Sequence, residues 1–193
     1  MEDMIEEQSD EALALRAQAG DADSFGTLVE RFEPKLLRYG RKFLSGREDI
    51  QDIVQDIFIH AYQNIRSFDA HRRFSPWIYR IAHNTFVNAL RKNSRNPVRF
   101  FGFEFDTFVP HPSHEAVREP EAEQKEMREL IEKGLAKISP AYSEILILYY
   151  LEEMDYSQIA DVLRIPPGTV GVRLARARAA MKKHAIELHH AYA

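Results

Sequence analysis

The sequence predicts an all-α chain of two small helical domains joined by a flexible linker. Apolar residues recur at helical spacing from about Asp10 to Lys92 and again from about Pro120 to Leu188, and no stretch alternates as a strand would. Between the two helical stretches, residues 94–123 lose all period and hold four of the nine Pro and five of the twelve Phe. The expected organisation is an acidic tail (1–9), a first domain (10–93), a linker (94–123) and a second domain (124–188).

Each element follows from its own pattern. A first helix from about Asp10 to Ala19 is stopped by Gly20, a usual residue just past a helix end. A second, from about Ser24 to Leu44, carries Phe25, Leu28, Val29, Phe32, Leu36, Leu37 and Phe43, with a bend expected at Gly40. A third, from about Glu48 to Arg66, spaces Ile50, Ile53, Val54, Ile57, Phe58, Ala61, Tyr62 and Ile65 into one continuous buried stripe. After the polar loop SFDAHRRF, a fourth opens near Ser75-Pro76 and runs to about Lys92. In the second domain, helices are expected from Pro120 to Ile138 and from Pro140 to Leu151, then a short helix, a turn and a last helix to about Leu188.

Composition removes several classes of function. At 193 residues, 45% hydrophobic and 29% charged, the chain is core-forming and neither disordered nor fibrous. Without cysteine it has no disulfide, thiol nucleophile or Cys-ligated zinc. No apolar run approaches the roughly 18 residues of a membrane span, and the acidic start MEDMIEEQSDE reads as neither signal nor transit peptide, so a cytoplasmic location is expected. The net charge of −4 would by itself argue against a polyanionic partner, but it is unevenly spread. Residues 1–23 carry −7, 24–93 carry +5, 94–123 carry −3 and 124–193 carry +1.

The basic surfaces have shape. DYSQIADVLRIPPGTVGVRLARARAAMKK has the form of a helix-turn-helix: Asp155 caps with Gln158 three residues on, Arg164 to Gly168 make the break, and Thr169 opens a second helix. Val170, Leu174, Ala177 and Met181 form its buried side. The opposite side shows Val172, Ala175, Arg176, Ala179 and Lys183, flanked by Gly171, Arg173, Arg178 and Lys182. Small residues ringed by Arg and Lys suit a helix entering a major groove. A basic helix face can also be merely solvated; agreement of turn, caps and charge favours DNA.

The fourth helix places Ile78, Ala82, Phe86, Ala89 and Leu90 on one side and Trp77, Arg80, Asn84, Asn88 and Arg91 on the other, beside the basic loop His71-Arg72-Arg73. An aromatic platform among amides and guanidiniums suits the capture of unstacked bases. The third helix exposes Asp49, Asp52, Gln55, Asp56, Ile59 and Gln63, an acidic face that would repel DNA and reads as a protein-docking surface anchored by Ile59.

DIVQDIFIHAYQNIRSFDAHRRFSPWIYRIAHN, followed after the linker by LAKISPAYSEILILYYLEEMDYSQIADVLRIPPGTVGVRLARARAAMKK, closely resembles the extracytoplasmic-function (ECF) sigma factors of bacterial RNA polymerase. The resemblance spans about residues 10–92 and 125–185 and implies a sigma region 2-like helical bundle and a region 4-like helix-turn-helix. It implies that the D-x-x-Q-[DE]-x-F pattern at Asp52, Gln55, Asp56 and Phe58 binds the polymerase clamp helices, with Asp49, Ile59 and Gln63 on the same face. Recognition and melting of the minus-ten element would fall to Ser67, Phe68, Asp69, His71, Arg72, Arg73, Trp77, Arg80, Asn84, Asn88 and Arg91. The minus-thirty-five element would be read by Thr169, Gly171, Val172, Arg173, Ala175, Arg176, Arg178, Lys182 and Lys183.

The partners so implied are core RNA polymerase (clamp helices and flap), promoter DNA and an anti-sigma factor. No catalytic residue, metal or cofactor is implied. Two departures stand out. The family's common Lys-Ser after Thr-Val is Gly171-Val172, which changes the DNA-facing surface, and the linker's FFGFEFDTF is unusually aromatic, as if to dock in an apolar groove of polymerase or of an anti-sigma factor.

Two other classes of function compete. A stand-alone helix-turn-helix regulator would bind duplex DNA without polymerase. An enzyme is disfavoured, because the pairs His111/His114 and His189/His190 have no carboxylate or Cys partner at ligand spacing and no nucleophile has a placed base.

Overall fold

The computed structural model describes residues 9–44, 46–93, 134–135 and 137–192, with side chains as far as Lys183. The acidic start, the linker with its phenylalanines and His111/His114, most of the helix expected from Pro120 to Ile138, and the side chains of His189/His190 lie outside the described residues. Every regular element among the described residues is helical, and they divide into two units, the first holding α1 to α4 together with Asp161–Arg164 and the second the rest of the later helices.

In the first unit, α1 (Asp10–Gln18) is capped by the Ser9 hydroxyl, which accepts from Ala12 N–H at 3.1 Å. It ends where Gly20 takes φ +102° and Asp21 N–H reaches back to Arg16 C=O, a turn that favours glycine. α2 (Ala22–Gly40) is capped by Asp21. It passes through Pro34 and stops at Gly40, short of the expected Leu44. A Cβ on Gly40 would lie 2.5 Å from Phe86 Cζ and 2.7 Å from Ile50 Cγ2, so the backbone packs here where a side chain cannot. α3 (Arg47–Asn64) tightens into a 3₁₀ turn, Ile65–Ser67, and α4 (Phe74–Asn93) follows the loop.

The core of this unit is Phe32, Leu36 and Tyr39 of α2, Val54, Ile57 and Ala61 of α3, and Ile78, Tyr79, Ala82 and Phe86 of α4, all buried. Ring pairs lock it, including Tyr39 with Tyr79 at 5.1 Å and Phe43 stacked on Phe86 at 5.3 Å. The α3 stripe is less continuous than expected. Tyr62 is 48% exposed, its ring meeting Phe25 of α2 in a T-shaped pair at 5.0 Å. α1 ties the unit together: Gln18 Nε2 donates to the carbonyls of Ile65 (2.8 Å) and Phe68 (2.7 Å), and Arg31 pairs with Asp10 at 2.8 Å.

In the second unit, α5 (Pro140–Leu146) does not continue as α-helix to Leu151 but widens into a π turn, Ile147–Leu151. The turn closes with Glu153 at φ +51° and Met154 N–H donating to Leu148 C=O at 3.0 Å. α6 (Tyr156–Leu163) opens with the expected capping box. Asp155 Oδ1 accepts from Gln158 N–H (2.8 Å) while Gln158 Oε1 accepts from Asp155 N–H (3.0 Å). It ends with Arg164 at φ +52° and Ile165 N–H bonded to Ala160 C=O, a Schellman-type close built on arginine. α7 (Pro167–Tyr192) begins two residues before the expected Thr169, with Pro167 at the favoured first position. Ile145, Ile147, Leu148, Ile159, Val162, Val170, Leu174 and Ala177 fill the core, and Gly134 packs against the Met181 thioether.

Candidate nucleic-acid interfaces

In the first unit α3 and α4 border a groove of about 810 Å³. From α4 it is lined by Trp77, Arg80, Asn84 and Asn88, as the helical stripe implied, together with Ile81, Thr85, Ala89 and Lys92. From α3 and the turn come Ile53, Asp56, His60, Gln63, Asn64 and Ser67. The last five polar residues lie four, seven, eight and eleven positions on from Asp56, the period of one helix face, a sequence signal from which a second wall could have been read. The groove thus offers an indole, amide groups, hydroxyls and three basic side chains, the inventory for stacking on a base, bonding its edge and meeting phosphate.

Trp77 is held on one side by Phe68 and Phe74, each ring centroid 5.5 Å from its own. This corrects one expectation. Phe68 is 5% exposed and supports Trp77 from within the core, so it is not presented to a ligand. Arg91 is exposed on α4 outside the groove, whose end is lined by Lys92. Ala89, expected inside, faces the groove instead. Ser67, His71, Arg72 and Arg73 are exposed as expected. Asp69 is exposed but engaged within the loop, accepting from His71 N–H at 3.0 Å and lying 3.7 Å from the Arg72 guanidinium.

On α3, Asp49, Asp52, Gln55, Asp56, Ile59 and Gln63 are all exposed, and Ile59 is 53% so. Tyr62 adds a second apolar group to this face. Two of the acidic-face residues, Asp56 and Gln63, also line the groove, so surfaces that the sequence suggested were separate share the same helix edge.

In the second unit, Ala175, Ala179, Lys182 and Lys183 of α7 are exposed, and Thr169, Gly171, Val172, Arg176 and Arg178 are partly exposed. Arg173 is the exception. It is 6% exposed and stands against Glu144, itself 5% exposed. Burial pushes the guanidinium pKa down, while Glu144 and then Tyr142 push it back up. Arg173 therefore holds α7 to α5 and is withdrawn from the exposed side of α7 expected to meet DNA. Among the described residues no cluster of His, Asp and Glu could hold a metal, and no helix is long and apolar enough to cross a membrane.

The chain matches the family models Sigma-70 region 2 over residues 28–96 and Sigma-70, region 4 over residues 128–181. It is 31% identical over 177 residues to the ECF RNA polymerase sigma factor SigW of Bacillus subtilis, covering 90% of this chain and 95% of that relative. The chain belongs to the ECF sigma factors of RNA polymerase. This ECF sigma factor is also 30% identical over 182 residues to the ECF sigma-E factor of Escherichia coli K12, across 92% of this chain and 95% of the relative. Among solved structures it resembles CnrH in complex with the cytosolic domain of CnrY, at 26% identity and a TM-score of 0.62, over 90% of this chain and 95% of that one. The sigma factor RpoE of Bartonella quintana, solved with the anti-sigma factor NepR, shares the fold at a TM-score of 0.60 and 21% identity, over 84% and 96% of the two chains. The two-domain all-α expectation and the family resemblance are borne out.

Proposed function

We propose that this sigma factor docks on core RNA polymerase through the exposed face of α3, reads and melts the minus-ten element in the α3/α4 groove, and reads the minus-thirty-five element with α7, so starting transcription of a particular regulon in the cytoplasm. The observation that carries the reading is the groove itself, where Trp77 braced by Phe68 and Phe74 stands beside Arg80, Asn84 and Asn88. Extruding a base costs a few kcal/mol, and stacking on an aromatic returns about 1 to 3, so melting is feasible without fuel when bases are captured one at a time. The domain boundaries expected above fit this division of labour. An anti-sigma factor is a further proposed partner, supported by the complex of the similarly folded RpoE with NepR. A role in stress response is in keeping with the sigma-E and SigW relatives.

In vitro transcription with core polymerase tests the reading. Ile59→Arg, on the α3 face outside the groove, is expected to lose core binding. Trp77→Ala and Asn84→Ala are expected to keep core binding and lose promoter opening, read by permanganate reactivity of unpaired thymines. Normal transcription by all three variants would overturn the assignment.

A further inference from the structure

The π turn Ile147–Leu151 places two tyrosines beside the recognition helix, a feature to which the proposed promoter contacts assign no role. Tyr149 meets Tyr150 edge-on at 4.9 Å and Tyr156 at 5.8 Å. A Cβ at Gly171 would lie 3.4 Å from Tyr156 Cε2. At the other end, the Arg178 guanidinium lies 5.5 Å from the centroids of both Tyr149 and Tyr150, and Arg178 Nε donates to the Tyr150 hydroxyl at 2.8 Å. Gly171 and Arg178 are seven residues apart, two turns on one edge of α7, so the three rings run beside that edge for about 10 Å. A regular α-helix would turn Tyr149 and Tyr150 roughly 100° apart about its axis; the wider π turn accompanies their meeting on the same guanidinium.

The chemistry of this end is specific. The Tyr150 hydroxyl accepts from Nε, which leaves its own proton available to donate, and the terminal Nη groups of the same guanidinium supply further donors next to it. Tyr150 is 49% exposed, so the pair is open to solvent. The rings favour the cation and hold its plane in one orientation, and that fixed fork of donors beside a hydroxyl matches a phosphate oxygen cluster. A helix lying in a major groove has a phosphate backbone along each flank.

We infer that Tyr150 and Arg178 form a phosphate clamp on one flank of α7, in which Tyr150, carried by the π turn, is a positioning residue that aims Arg178 at a single backbone phosphate beside the minus-thirty-five element. The clamp carries no base preference. It rests on the proposed role of α7 and would supply register where Gly171 and Val172 contribute no charge or hydroxyl.

The test uses holoenzyme assembled from the full chain with host core polymerase, on a promoter mapped by run-off transcription. Arg178→Gln is expected to weaken binding equally on promoters differing in minus-thirty-five sequence and to reduce the salt slope by about 1, so that the affinity lost between about 50 and 200 mM is roughly fourfold smaller than in wild type. Tyr150→Phe, which keeps the ring, is expected to weaken binding alone but to add nothing in the Arg178→Gln background. A scan of single methylphosphonates along the duplex is expected to find one phosphate whose neutralisation weakens wild type and leaves Arg178→Gln unaffected. Unchanged salt slopes in both variants, or additive effects of the two, would overturn the clamp while leaving minus-thirty-five recognition standing. Reduced affinity for core polymerase in Tyr150→Phe with an unchanged slope would overturn it in favour of a protein contact. Wild-type binding that ignores scrambling of the minus-thirty-five duplex would defeat the underlying reading and the clamp together.

Discussion

Glu11 Oε1 accepts a hydrogen bond from Phe74 N–H at 2.8 Å, so a residue of α1 caps the helix that carries Trp77. A helix start leaves several amide groups without intrahelical partners, and here one of them is satisfied across 63 positions of sequence. Glu11→Ala is expected to lower the stability of the first unit by about 1 kcal/mol, with Glu11→Gln retaining most of it. Denaturant unfolding followed by the fluorescence of Trp77, the sole tryptophan of the chain, measures this.

The buried pair Arg173 and Glu144 makes the opposite kind of demand. Arg173→Ala leaves a carboxylate in an apolar site and is expected to cost roughly 3 kcal/mol. The double variant Arg173→Met, Glu144→Leu removes both charges and is expected to recover most of that loss. Calorimetric melting of the two variants checks the order, and a single variant as stable as wild type would contradict the pairing.

Gly40→Ala would ordinarily stabilise a helix by about 1 kcal/mol. Here the new methyl meets the buried Phe86 ring and Ile50, and overpacking of a well-filled core costs about 1 to 3 kcal/mol. A net loss of stability and a lower Tm are expected, measured by thermal circular dichroism.

Asp21 accepts hydrogen bonds from the Ser24 hydroxyl at 2.6 Å and from the amides of Ser24 and Asp23, and the Ser24 bonds hold its carboxyl below the usual carboxylate range. A lowered pKa in the folded state means the carboxylate stabilises the fold above the ordinary aspartate pKa and loses that contribution as pH falls through the lower, folded value. The Tm difference between wild type and Asp21→Asn is therefore expected to hold from neutral pH to about 4 and to shift against wild type below it. A pH-independent difference would remove Asp21 as the source.

Periodicity made the helices legible, and the capping box at Asp155 and Gln158 could be read from two residues at a fixed offset. What periodicity missed depends on neighbours far along the chain. Arg173 sits at the edge of the α7 wheel, and it takes Glu144, on another helix, to make its burial tolerable. Phe68 reads as part of a polar loop until Phe74 and Trp77 close over it. Gly40 looks like a helix defect until Phe86 occupies the space its side chain would need. His60 and Asn64 follow Asp56 at helical spacing and lead on to Ser67, but their meaning needed α4 opposite them. The π turn has no residue signature that separates it from the α-helix expected through Leu151.

Asp56 and Gln63 belong both to the exposed acidic face of α3 and to the wall of the groove. On the proposed assignments, a substitution there alters grip on polymerase and base preference at once, so drift in one is penalised by selection on the other. Divergence in minus-ten taste among close relatives of this chain should then accumulate on α4 and in the loop from Ser67 to Arg73, while α3 stays still.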